Sequence, residues 1–304
     1  MTDRYTSPKI ALRTLLRWQL SRRFKAAPPP AKPLGIEYRQ TLPEGEYALW
    51  LGHAAVWMNL GETTVAIDPV LGDITMFRRH TPLPLPRETL RADLILITHA
   101  HYDHFDKPSV RELLKRNPET TVVAPLGFWR YMRGAIARER CFELEWWESV
   151  MVGGLFITLT PARHWSKRTL LDTNKALWGG YVIQNSTHTV FHAGDTAYGD
   201  HFAQIAERFS IDEAFLPIGA YRPEAVMQHN HLNPPEAIQA FHDLGAATLI
   251  PIHYGTFRLS DEPLDEPIQW FGDLAGRMEH PDAARVLRIG EAYRFSTTST
   301  ERST

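Results

Sequence analysis

Short apolar runs bounded by Gly, Pro, Asp or polar residues recur along this chain from Tyr47 onward, and they predict strands rather than helices. They fall at Tyr47–Leu51, Ala54–Leu60, Thr63–Ile67, Leu94–Ile97 and Thr121–Ala124, then at Phe156–Thr160, Gly180–Gln184, Thr189–His192, Ala214–Pro217 and Thr248–Ile252, with Val286–Phe295 closing a sheet. Helical spacing of apolar residues predicts helices over Pro108–Lys115, Leu126–Arg138, Tyr198–Arg208, Pro234–Leu244 and Pro267–Met278. The stretch Leu71–Arg91 lacks either period and is rich in Pro and Arg, which suits the wall of an active site. Two successive halves, each β-rich and then α-rich, predict an α/β domain of two sheets packed face to face with helices outside.

The N-terminal 44 residues read differently. Ile10, Leu12, Leu15, Leu16, Leu20 and Phe24 are spaced for a helix face, and Lys9, Arg13, Arg17, Arg22, Arg23 and Lys25 fill the rest. Arg13 and Arg17 exclude a secretory h-region. A basic amphipathic helix here either lies on an anionic lipid surface or packs on the domain. The run Ala26-Ala27-Pro28-Pro29-Pro30-Ala31-Lys32-Pro33 forms a stiff linker. The expected division is therefore 1–44, helix and linker, and 45–304, the catalytic domain.

Charge and cysteine content narrow the chemistry. With 33 basic against 35 acidic residues there is no global attraction to nucleic acid. The single cysteine, Cys141, excludes an internal disulfide and the thiolate zinc sites of fingers and ribbons. No apolar run approaches the roughly 20 residues of a membrane span. These features lead us to expect a cytoplasmic protein, peripheral on the inner face of the membrane.

The buried run Leu94–Ile97 leads directly into Thr98-His99-Ala100-His101-Tyr102-Asp103-His104. Three imidazoles and a carboxylate within six residues are donors for zinc, iron or manganese, placed at a strand's C-terminal end where open α/β sheets bind ligands. Later strand ends offer more donors: Phe156–Thr160 runs into His164, Val190-Phe191 into His192 and Asp195, and Leu249-Ile250 into His253. Each alone reads equally well as a turn residue. Together they predict convergence on one sheet edge.

With those residues in place the chain resembles the metallo-β-lactamase superfamily, most closely the N-acyl-phosphatidylethanolamine-hydrolysing phospholipase D family. The resemblance covers roughly residues 45–296 and rests on Leu51-Gly52-His53-Ala54, Asp68-Pro69, Phe77-Arg78-Arg79, the His99–His104 motif, Trp146-Trp147-Glu148, His164-Trp165-Ser166-Lys167-Arg168, Leu177-Trp178-Gly179-Gly180, Gly194-Asp195-Thr196, Ile218-Gly219-Ala220-Tyr221 and Ile252-His253-Tyr254-Gly255. It implies a four-layer αββα sandwich and two zinc ions, with iron or manganese as alternatives. His99, His101 and His164 would hold one ion, Asp103, His104 and His253 the other, with Asp195 between them. The catalytic residues it implies are Asp103, Asp195 and His231. Two cations about 3.5–4 Å apart need such a shared carboxylate, and a hydroxide bridging them is a nucleophile at neutral pH. His101 stands where the flavodiiron branch carries an acid, which favours hydrolysis over redox chemistry. His192 reads as a packed strand-end residue, not an eighth ligand.

The activity so implied is cleavage of a phospholipid phosphodiester, releasing phosphatidic acid and an amine-bearing headgroup. Lys167, Arg168, Trp165, Trp178, Tyr221 and His231 are the expected substrate-binding residues. For Lys167 and Arg168, the alternative is a surface loop paired with Asp172. Departure from the family at Arg222-Pro223-Glu224-Ala225-Val226 keeps a lactonase or other ester hydrolase open, with a nucleic-acid phosphodiesterase as a weaker alternative. A non-catalytic scaffold fits poorly, because structural zinc sites are closed and four-coordinate. The expected partners are a phospholipid or other small ester, a membrane surface met through the N-terminal helix, and a second copy of the chain as homodimer; nucleic acid is not expected.

Overall fold

The computed structural model describes residues 5–8, 12–24 and 33–295. Strands β1 (Tyr47–Trp50), β2 (Val56–Leu60) and β3 (Thr63–Ile67) form an antiparallel meander, which continues as parallel β4 (Leu94–Leu96), β5 (Thr121–Pro125) and β6 (Cys141–Leu144). In the second sheet β7 (Ser149–Val152), β8 (Leu155–Thr160), β9 (Gly180–Gln184) and β10 (Thr189–His192) run antiparallel, and β11 (Glu213–Pro217) and β12 (Thr248–Ile252) then run parallel to β10. Strand β13 (Ala292–Arg294) returns to the first sheet beside β1, giving the orders β13-β1-β2-β3-β4-β5-β6 and β12-β11-β10-β9-β8-β7.

Side-chain alternation explains why the sheets stack. On the first sheet Trp50, Val56, Met58, Val65, Ile67, Leu94 and Leu96 share one core with Ile157, Leu159, Tyr181 and Ile183 of the second. The intervening Leu49, Trp57, Ala66, Ile95 and Ile97 instead join Val110, Leu113 and Leu114 of α2 (Lys107–Arg116). A period of two thus gives one chain segment two buried faces, as parallel strands covered by helices require. Helices α4 (His201–Ala206), α6 (Pro234–Leu244) and α7 (Glu266–Ala275) cover the second sheet through Phe202, Ile205, Ala237, Phe241 and Phe271. The result is the expected αββα sandwich.

Local chemistry sets the helix ends. Asp106 caps α2 by accepting from Ser109 N–H at 3.0 Å. Asn233 and Glu236 form a reciprocal capping box ahead of α6, which ends at left-handed Gly245. Three predicted elements are shorter than expected. Only α3 (Trp129–Met132) of the Leu126–Arg138 stretch is α-helical: Gly127 turns left-handed before it (φ 88°), with Lys175 O so close that a Cβ would lie 2.4 Å from it, and left-handed Gly134 (φ 77°) follows its end. Residues 197–198 stay extended before α4, since Ala197 N–H donates to Arg163 O at 2.9 Å. Near the C-terminal end of the described chain only Ala292–Arg294 is strand, after a turn at Gly290 whose N–H donates to Trp50 O. Strands β6 and β7 were not expected; each is four residues long and lies at the edge of its sheet, and only Cys141 and Leu144 of the eight residues are buried.

Helix α1 (Leu12–Phe24) lies near α5 (Glu224–Met227), and Trp18 Nε1 donates to Asp261 Oδ1 at 3.0 Å. Most of the Pro-rich linker, residues 26–32, lies outside the described residues.

Among the hydrogen bonds that cross between the sheets, one lies directly behind the histidine loop. Tyr181 Oη on β9 donates to Ile97 O at 2.8 Å, just before the histidine loop. Tyr181→Phe leaves that buried carbonyl without this donor and should lower unfolding free energy by about 1–3 kcal/mol, read from urea denaturation with an unchanged m-value.

Candidate metal centre

Both sheets deliver their polar residues to the same edge. Strand β4 ends in the His99–His104 loop, tied into a turn by Phe105 N–H donating to His101 O at 2.8 Å. From the second sheet, β8 delivers His164, β10 delivers Asp195 and β12 delivers His253. Gly194 makes the Asp195 turn possible: its φ is 62°, and a Cβ there would meet Thr98 Cβ at 2.9 Å.

The donors fall into two groups that share Asp195. His99, His101 and His164 form the first with Asp195: His99 Nε2 and His164 Nε2 lie 2.8 and 3.2 Å from His101 Nδ1, and each is 3.8 Å from Asp195 Oδ2. Asp103, His104 and His253 form the second, with His104 Nε2 and His253 Nε2 at 3.2 and 2.9 Å from Asp195 Oδ1 and 3.6 and 3.7 Å from Asp103 Oδ2. One carboxylate therefore presents a different oxygen to each group. His104 Nε2, His253 Nε2 and Asp195 Oδ1 are buried without a hydrogen-bond partner. Imidazoles and carboxylates so crowded and so poorly satisfied by one another fit a pair of divalent cations, whose charge offsets the desolvation of every member.

The electrostatics have the same two-sided form. Burial alone favours neutral side chains, and it holds His99 and His164 well below the usual imidazole range and His101 at about 4. At His104 and His253 burial also opposes charge, but Asp195 and Asp103 outweigh it, raising His104 well above its ordinary value and His253 to about 9. Asp103 and Asp195 resist burial in turn, and the surrounding histidines, His104 foremost, hold both well below the usual carboxylate range.

A ring of further residues aims the donors. Asp68, fully buried at the end of β3, lies 2.6 Å from His104 Nδ1 and also accepts from Thr98 N–H and Oγ1 at 2.8 and 2.6 Å. That fixes the proton on His104 Nδ1 and leaves Nε2 for a cation. His164 Nδ1 donates to Asn230 O at 2.9 Å with the same consequence. His53 Nε2 lies 2.9 Å from Asp103 Oδ2, and its ring is 4.0 Å from that of His253. The sequence pattern assigns neither Asp68 nor His53 a role, although Asp68-Pro69 and Gly52-His53 also sit at buried strand ends.

The other expected residues divide. His231 reaches the cluster, with Nδ1 3.7 Å from Asp195 Oδ2. Trp165 packs edge-on against His101 at 4.4 Å, and Lys167 is partly exposed beside it. Tyr221 and His231 line a cleft of about 510 Å³ together with Arg222, Gln228, Asn233 and Trp270. His192 accepts from Gly194 N–H through Nδ1 at 3.1 Å and donates through Nε2 to Ala54 O at 3.0 Å, so it packs and orients the strand end. Two assignments need correction. Arg168 braces the histidine loop: Nη1 donates to Phe105 O and to Ala100 O, and the guanidinium stacks on Tyr102 at 4.0 Å. Asp172 meets the Arg168 backbone N–H, not its guanidinium. Trp178 is 1% exposed and donates to Ala162 O at 2.7 Å, so it belongs to the core and lines no cleft.

Comparison with known proteins gives a consistent picture. Residues 63–254 match the family model described as a beta-lactamase superfamily domain. An N-acyl-phosphatidylethanolamine-hydrolyzing phospholipase D of Caenorhabditis elegans is 35% identical over 230 residues, which is 70% of this chain and 65% of that protein, so the chain spans just under two thirds of that relative. A metal-dependent hydrolase of Exiguobacterium is 31% identical over 236 residues, covering 75% of this chain and 92% of that one. Among solved structures, an isothiocyanate hydrolase from Delia radicum gut bacteria superposes with a TM-score of 0.68 at 18% identity, over 83% of this chain and 100% of that one, a likeness of fold.

Asp68→Asn keeps the size of the side chain but loses the charge that holds the His104 proton in place. Metal affinity measured by competition with a chromophoric chelator should fall by about 10–100-fold.

Proposed function

The chain belongs to the beta-lactamase superfamily of metal-dependent hydrolases, and on that premise we propose that it cleaves the phosphodiester of a phospholipid of the N-acyl-phosphatidylethanolamine type. The observation that carries the proposal is the division of Asp195 between two donor groups, which suits a pair of cations clamping an in-line displacement at phosphorus. The particular His164-Trp165-Ser166-Lys167-Arg168 segment and the 35% identity to the nematode phospholipase D support the lipid over other phosphodiesters.

Two zinc ions, or iron or manganese in their place, would lower the pKa of water to about 7 and offset charge developing on the phosphoryl oxygens. His99, His101 and His164 would hold one and Asp103, His104 and His253 the other, with Asp195 shared. The remaining work belongs to the chain. Trp165 and the Arg168 brace keep His101 and its loop in place. His231 stands where the cleft meets the cluster; burial, the largest influence on it, pushes it down to about 4 and keeps the ring neutral near pH 7. A neutral imidazole there can donate a hydrogen bond to a phosphoryl oxygen, and can relay to the leaving alkoxide the proton it accepts from the hydroxyl newly bound to phosphorus. Hydrolysis adds hydroxyl to phosphorus and that proton to the headgroup oxygen, giving phosphatidate and an N-acylethanolamine.

A lactone or other ester could be attacked at the same donor cluster, and the altered Arg222–Val226 wall of the cleft is the observation that favours it. Among the described residues no helix is long and apolar enough to cross a membrane. Arg13, Leu16, Arg17 and Leu20 on α1 face solvent, a surface suited to anionic lipid.

Purified protein reconstituted with zinc should hydrolyse N-acyl-phosphatidylethanolamine in anionic mixed vesicles and leave homoserine-lactone-type substrates largely intact; turnover of lactones alone would overturn the phosphodiesterase reading. In the same assay Asp195→Asn should abolish turnover. His231→Gln should lower kcat by roughly 10²–10⁴-fold while metal content, read by atomic absorption, stays unchanged.

A further inference from the structure

A second group of metal donors lies at the opposite end of the second sheet. His188 sits in the hairpin joining β9 to β10, Asp212 immediately precedes β11, and Glu213 is its first residue. One ligand atom from each lies within 4.8 Å of the others. From Thr189 to Asp195 the chain covers about six residues at ~3.3 Å each, so the two clusters are separated by roughly 20 Å. Nothing in the hydrolytic site accounts for these residues.

The site is built rather than merely acidic. Glu213 is 3% exposed; its Oε1 accepts from Tyr293 Oη at 3.2 Å, while Oε2 is buried with no hydrogen-bond partner. His188 is 5% exposed, with its ring 5.1 Å from that of Phe295 and Nε2 3.7 Å from Glu46 Oε2. Asp212 Oδ2 accepts from Thr189 N–H at 2.8 Å, which fixes the carboxylate at the strand start. Burial, with Asp212 adding to it, pushes the Glu213 carboxyl up to about 7. A carboxylate kept in such a place costs stability unless something positive or protic meets its second oxygen.

We propose that His188, Asp212 and Glu213 bind a third divalent cation, with Glu46 near enough to complete the set. One imidazole among carboxylates selects zinc, manganese or iron(II) over calcium or magnesium. Ligands about 2.1 Å from a common ion lie at most about 4.2 Å apart, so small side-chain rotations close the observed group around one ion. The role is structural. The donors come from the second sheet and from Glu46, which immediately precedes β1 of the first; Tyr293 of β13 already joins Glu213 across the same gap. A cation there pins the two sheets together at the end remote from the reaction.

Equilibrium dialysis of the full chain against zinc or manganese alone, with bound metal counted by atomic absorption, tests this. Glu213→Gln, which keeps the shape and removes a buried carboxylate, and independently His188→Gln should each bind one equivalent per chain fewer than wild type. Added metal should also raise the melting temperature of wild type more than that of either variant. Equal equivalents in wild type and both variants overturn the site, whatever the melting temperatures show. Only the difference is read, so the result does not depend on how many ions the His99–His253 cluster holds.

Discussion

The two oxygens of Asp195 are the point on which the reactive edge of this molecule turns. Each faces a separate set of nitrogens, and each set is too crowded to be satisfied by its own hydrogen bonds. Burying that many titratable groups in one place is unfavourable unless positive charge is shared among them. The protein answers partly through protons, held on His104 and His253 by Asp195 and Asp103, and partly through neutrality, enforced by burial on His99, His101 and His164. Cations held by these donors would replace the first device without disturbing the second.

Such a cluster needs a rigid frame, and the frame follows from the sandwich. Parallel strands end at one edge, so β4, β10 and β12 deliver donors to a common space without long loops. What loops remain are tied down by groups that never touch the reacting atoms. Asp68 ties the end of β3 to Thr98 and His104, Arg168 anchors the loop by its carbonyls, and Tyr181 ties the second sheet to Ile97. Asp68 and Tyr181 are buried and Arg168 is half-buried, and the partners of all three lie close to the histidine loop. Removing one should disturb donor geometry before it disturbs the fold.

Much of this is legible in the residues themselves. Period-two burial makes the strands plain, and the His-x-His-x-Asp-His motif after an apolar run points to a metal edge from sequence alone. Recognition of the later strand ends as donors depends only on noting where apolar runs stop. Side-chain direction is not legible. Arg168 and Trp178 stand close to the site in sequence and in space, yet one turns back to brace carbonyls and the other inserts into the core. His53 and Asp68 show the reverse: each has the pattern of a turn residue, and each faces a donor. The Leu126–Arg138 stretch starts its helix late where the Lys175 carbonyl approaches Gly127, a contact between segments far apart in the chain, and ends it early at left-handed Gly134.

Because the donor cluster would serve a phosphodiester and a lactone equally well, discrimination has to come from the neighbouring cleft. Its wall is mixed in character. Arg222 is partly exposed, but its Nη2 lies 2.9 Å from Glu266 Oε1, which also accepts from Tyr221 Oη at 2.7 Å. The basic group nearest the cleft therefore enters it already neutralised, and recognition of anionic substrate cannot rest on Arg222 alone. Trp270 and Tyr221 present apolar surface suited to an acyl chain. On the proposed phosphodiesterase reading, the substrate would bring its phosphodiester charge to the donor cluster and its apolar tail to the Tyr221 and Trp270 wall.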